Sequence, residues 1–122
     1  MVEGSNIKVN NQLLEEMEII IKKTHVSNYP NPISFDAGES LSIGELDTEF
    51  PNWVRVRTLD GNEGWAPTQY IDFESSTATQ YYSAYELNVN IGDCVNVLFE
   101  LNEWFMVECS TGKRGWIPKN CT

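Results

Sequence analysis

The sequence predicts an all-β chain of two tandem small β-barrels, on three observations. A pattern of aromatics, glycines and one proline occurs twice. Apolar residues alternate with polar ones in short runs bounded by turn residues. Neither copy contains a convincing helical periodicity. The first copy reads Ala37-Gly38-Glu39-Ser40-Leu41-Ser42-Ile43, then Trp53-Val54-Arg55-Val56, then Gly64-Trp65-Ala66-Pro67 and on to Tyr70-Ile71. The second reads Ile91-Gly92-Asp93-Cys94-Val95-Asn96-Val97, then Trp104-Phe105-Met106-Val107, then Gly115-Trp116-Ile117-Pro118 and on to Cys121-Thr122. Trp53 to Gly64 and Trp104 to Gly115 have the same spacing. Length alone suggests one domain in 122 residues. The repetition indicates two instead.

Taken in order, residues 1–16 are polar and aperiodic, a tail. Asn11 to Met17 suits a short helical turn, with Asn11 as its cap and Leu13, Leu14 and Met17 on one side. The first barrel is expected over 17–73. It opens with the β-branched run Ile19-Ile20-Ile21, which suits a buried strand. Tyr29-Pro30-Asn31-Pro32 makes a loop. Ile33 and Phe35, then Leu41 and Ile43, face one way with serines between them. Val54 and Val56 face the core, which turns Trp53, Arg55 and Arg57 outward. Asp60-Gly61 is a hairpin turn, because both residues tolerate positive φ. Residues 74–79 are a polar linker. The second barrel, 80–122, repeats the scheme: Leu87 and Val89, Val95 and Val97, Phe105 and Val107, and a hairpin at Ser110 to Lys113.

The formal charge is −10, with a pI near 4.4. Such a surface disfavours nucleic acid and anionic membranes, which require clustered Lys and Arg. Three cysteines, none in a Cys-x-x-Cys pair, indicate neither a disulfide framework nor a zinc site. No signal peptide or spanning segment is evident, so a cytoplasmic protein is expected. No phosphate loop, catalytic triad or metal-spaced cluster is present. An enzyme is not expected, nor is a cofactor or a metal. His25, the single histidine, reads as structural. Cys109 reads as a small core residue and Cys94 as exposed. Trp65 and Trp116 read as packing or inter-domain contacts.

The run Glu86-Leu87-Asn88-Val89-Asn90-Ile91-Gly92-Asp93, followed by Trp104-Phe105 and Gly115-Trp116-Ile117-Pro118-Lys119-Asn120, resembles the Src homology 3 (SH3) family. The first copy is similar through Gly38-Glu39, Trp53, Gly64-Trp65, Pro67 and Tyr70. The resemblance implies two tandem SH3-like barrels that bind extended, proline-rich peptides on aromatic shelves. By position, the first shelf would be Trp53, Pro67 and Tyr70, with Tyr29. The second would be Trp104 and Pro118, with Tyr82. The family's Ala-Leu-Tyr-Asp-Tyr opening strand is missing from both copies, and its acidic loop is shortened. Cys121 stands where the first copy has Tyr70. These departures are similar to variant SH3 modules of bacterial proteins. Glu45, Asp47 and Glu49 form either a solvated acidic loop or a substitute grip for a basic ligand residue. The expected partner is a protein or peptide, bound mainly by the first copy. Binding to peptidoglycan is a second reading. Contact between the two copies, or a homodimer, is a third.

Overall fold

The computed structural model describes residues 17–122 and, before them, the backbone of two short strands. In chain order the strands are β1 (Lys8–Val9), β2 (Asn11–Gln12), β3 (Met17–Ile20), β4 (Ser34–Phe35), β5 (Ser42–Leu46), β6 (Trp53–Arg57) and β7 (Glu63–Pro67). Then follow β8 (Ile71–Asp72), β9 (Thr77–Ala78), β10 (Tyr82–Ser83), β11 (Cys94–Leu101), β12 (Trp104–Glu108) and β13 (Arg114–Pro118). Single 3-10 turns, Thr68–Tyr70 and Lys119–Cys121, follow β7 and β13. The described residues contain no α-helix. The helical turn expected over Asn11 to Met17 is not seen where it can be checked. Asn11–Gln12 pairs with Lys8–Val9, Met17 opens β3, and 13–16 lie outside the described residues.

Two compact units form, one from Ser27–Glu86 and one from Met1–Val26 with Leu87–Thr122. We call them the inserted and the split barrel. This partition cuts across the expected boundaries of 17–73 and 80–122. Within the inserted barrel, β5, β6 and β7 make an antiparallel meander. Its hairpin at Thr58 to Asn62 places Gly61 at φ 87°, where a side chain would be strained. The Asp60 carboxylate caps the turn through the Thr58 hydroxyl and the Asn62 amide. After the 3-10 turn the chain does not run on as a linker. The Asp72 carboxylate accepts the amides of Glu74 and Ser75 at 3.0 and 3.4 Å, and Ser76 takes a left-handed φ of 57°. β9 therefore folds back onto β8, and β10 continues to pair with β4.

The segment from Ser76 to Tyr82 thus fills the first-strand position of the barrel that precedes it. The split barrel takes its first strand from the N-terminal segment: β3 pairs with β11, in the sheet order β13-β12-β11-β3. The two placements match bond for bond. Gly38 donates to the Ala78 carbonyl at 2.7 Å, and Gly92 to the Ile21 carbonyl at 2.8 Å. Ala78 donates to Glu39, and Ile21 to Asp93. Thr79 donates to Tyr70, and Lys22 to Cys121. Tyr82 pairs with Phe35, and His25 with Val89. Each opening strand is thus paired with the barrel body that does not follow it in sequence.

Burial follows the predicted alternation inside each body. Ile33, Phe35, Leu41, Val54, Val56, Ala66 and Ile71 are buried in the inserted barrel, together with Ala78 and Tyr82 from the returning segment. In the split barrel the core is Ile21, Leu87, Val89, Val95, Val97, Phe105, Val107 and Ile117, with Ile19 and Cys109 packed against it. Fully burying an isoleucine such as Ile21 contributes about 1.5–3 kcal/mol.

Candidate functional site

In each barrel the strand before the distal hairpin carries a tryptophan opposite the proline that precedes the 3-10 turn. The register pairs Trp53 with Pro67 and Trp104 with Pro118. Both pairs are clamped by the same backbone bond: Thr68 donates to Asn52 at 2.9 Å, and Lys119 to Glu103 at 3.0 Å. The two shelves nevertheless differ in exposure.

On the inserted barrel, Trp53 is only 9% exposed and Pro67 is fully buried. Trp53 lacks the exposure that its outward place in the alternation suggests, because alternation sets a side chain's direction and not what covers it. Tyr70 is half-buried, its ring edge-on to Tyr82 at 5.9 Å. Tyr82 was assigned by sequence to the second shelf. It lies instead in the inserted barrel, buried against Phe35 at 5.4 Å, with its hydroxyl donating to the Trp65 carbonyl at 3.2 Å. Burial holds the Tyr82 phenol well above the usual tyrosine range, and the Glu86 charge adds to that. Burial also raises Tyr70, against a lowering hydrogen bond from Gln80. Tyr29 and Glu49 are exposed, on the loops before β4 and β6. The Asp47 carboxylate accepts the amides of Glu49 and Phe50, so its loop is ordered by its own backbone.

On the split barrel, Trp104 and Pro118 are half-exposed. The turn before Trp104 is a two-residue hairpin, Asn102 and Glu103, with φ of 50° and 73°. The longer acidic loop of the inserted barrel has no counterpart there. His25 stands edge-on to Trp104, ring centroids 5.9 Å apart at 81°. Sequence reasoning missed His25 because no local motif marks it. Only the pairing of His25 with Val89 brings it to this tryptophan, in the position Tyr82 holds in the other barrel. Lys119 borders the shelf, bonded to Glu100 at 2.9 Å, which raises its pKa. Cys121, in Tyr70's place, is buried and adds no exposed ring.

The remaining tryptophans divide. Trp116 is buried, with Phe99 edge-on at 5.5 Å, a packing role. Trp65 is half-exposed beneath the Arg55 guanidinium at 5.5 Å. Among the described residues no group of three or more His, Cys, Asp or Glu could hold a metal ion, and no helix is long and apolar enough to cross a membrane.

Residues 19–74 match the family described as Variant SH3 domain, and residues 78–119 match the family described as SH3 domain. No curated protein and no solved structure matches the chain. Both family matches follow the linear order and so include, in each case, the opening strand that the fold gives to the other barrel. With both copies of the repeat matched in sequence order, the chain belongs to the SH3 family as a tandem pair of these protein-interaction domains.

Proposed function

We propose that the chain is a non-catalytic interaction module that binds an extended peptide segment of a protein partner on the split barrel, across Trp104, Pro118 and His25. One observation carries the choice of site: Trp104 and Pro118 are half-exposed, while Trp53 and Pro67 are covered by the chain itself. A rigid aromatic face with an indole N–H at its edge suits a ligand that is already extended before binding. Such a ligand loses little conformational entropy, and its carbonyls accept from the indole. His25 walls the shelf beside Trp104, and Lys119 follows Pro118 in the chain. Trp53 serves the core of its own barrel in this scheme, so peptide binding is asymmetric between the copies.

The test is an amide NMR titration of the intact chain with a panel of proline-rich peptides carrying basic, neutral or acidic flanks. Shifts should concentrate around Trp104, Pro118 and His25. Trp104→Ala should weaken binding about thirtyfold, corresponding to about 2 kcal/mol for a central aromatic anchor, and leave the fold intact. Shifts centred on Trp53 and Tyr70, or unchanged affinity in a folded Trp104→Ala protein, would remove the assignment.

A further inference from the structure

The opening strand of the split barrel is held apart from its body in sequence. This strand, Met17 to His25, is separated from the rest of its barrel by all of Ser27–Glu86. It lies at the edge of its sheet, and Met17 and Ile20 are more than half exposed. Its grip includes the β3–β11 ladder, the amides of Lys22 and Lys23 on the Cys121 carbonyl, the backbone bonds of Ile21 with Gly92 and Asp93 and of His25 with Val89, and the packing of Ile19 and Ile21. The loop behind it contains Pro30 and Pro32, which have no amide hydrogen to offer a ladder.

We propose that this strand is exchangeable, and that the partner it fits is a second copy of this chain. Two chains would each place Met17–His25 against the other's Leu87–Thr122 body. The same chain already displays the principle. Two equivalent strands dock by the same hydrogen bonds, one joined to its body by the short turn after Asp72 and the other separated from its body by all of Ser27–Glu86. The acceptor reads the strand's backbone and apolar faces, not its connection. Exchange between copies re-forms every bond of the closed barrel, so the opposing term is the entropy of association, which high concentration reduces.

Ile20 and Cys94 are direct cross-strand partners, and both are exposed. Antiparallel partners have Cα atoms about 4.5–5.5 Å apart, within reach of a disulfide. The chain carrying Ile20→Cys and Cys109→Ser is refolded at low and at high concentration, oxidised with oxidised glutathione, and mapped by mass spectrometry. Mixtures of isotopically heavy and light chains report whether the 20–94 link joins two copies. The expected result is an intrachain link at low concentration and a rising fraction of heavy–light 20–94 links at high concentration. Links that stay intrachain at every concentration would overturn the proposal. So would a dimer lacking the 20–94 link. Light scattering and heavy–light mixing of the unsubstituted chain provide a readout that does not depend on the variant folding, and a strict monomer there would also overturn it.

Discussion

The inserted barrel covers its shelf tryptophan, buries Tyr82 behind Tyr70, and carries ten acidic residues against two arginines. The split barrel leaves Trp104 and Pro118 half-exposed, and over residues 17–26 and 87–122 it balances five acidic against five basic residues. Their backbones share a pattern: the same distal hairpin, the same clamp on the 3-10 turn, the same docking of an opening strand. The lesson is that the family's hydrogen-bond scheme constrains little of what lies outside it. One copy carries most of the negative charge, which favours solubility. The other leaves its tryptophan and proline half-buried rather than covered.

The strongest way to break the comparison is to cut the chain. Every strand of the inserted barrel lies within Ser27–Glu86, whereas the split barrel draws on both ends. The fragment 27–86 should fold alone, with dispersed amide resonances. A chain lacking residues 1–26 should keep that barrel and lose protection in 87–122 by hydrogen exchange. A folded 87–122 region in that deletion would refute the assignment of the opening strand.

Next in size is a pair of core changes, one in each barrel. Ile21, 1% exposed, occupies the place of Ala78 in the other barrel. Ile21→Ala should cost about 2–5 kcal/mol, confined to the split barrel, as read by two-probe denaturation. Trp53→Ala should likewise cost about 3 kcal/mol or more in the inserted barrel. That loss of stability contrasts with the loss of affinity expected at Trp104.

Tyr82 gives a smaller, pH-dependent effect. Its folded pKa is raised above that of the unfolded chain, which releases the proton near about pH 10. Above that pH the folded state holds more protons than the unfolded one, so stability falls as pH rises. Below it the contribution is fully present. Tyr82→Phe should flatten this alkaline decline and cost about 1 kcal/mol at neutral pH through the lost bond to Trp65. Urea titrations at neutral and alkaline pH separate the two effects. Smallest is Glu103, held at φ 73° in the hairpin before Trp104. Glu103→Gly should relieve that conformation and stabilise the split barrel by about 0.5–1 kcal/mol, seen as a modest rise in Tm.

The strands of both bodies were legible in the sequence, because period-two alternation reports directly on which side of a strand is buried. Val54 and Val56, or Phe105 and Val107, declare themselves. Pairing across the repeat was not legible, since both bodies offer an opening strand the same backbone partners. The deciding signal was local and small. Asp72, followed by Glu74, Ser75 and Ser76, makes a turn that closes β8 on β9 at low entropic cost, whereas docking on the second body would close a longer loop. Read as a polar linker, those residues hid it. The shelf was legible in residue type and not in exposure. Trp53 and Trp104 share a motif, but their covering comes from residues outside it. His25 became visible only once the register of Met17 to His25 on the second body was known.

The split barrel also has a consequence for synthesis. Its opening strand is made before the whole of the inserted barrel, and its acceptor only after it. At roughly 5–20 residues per second the interval is on the order of seconds. Throughout it the run Ile19-Ile20-Ile21 has no partner from its own barrel, a short β-branched stretch of the kind that pairs with other chains. Glu18 on one side and Lys22-Lys23 on the other bracket it with charge. Charges flanking such a run oppose strand addition by other chains, during the wait that the fold's connectivity imposes.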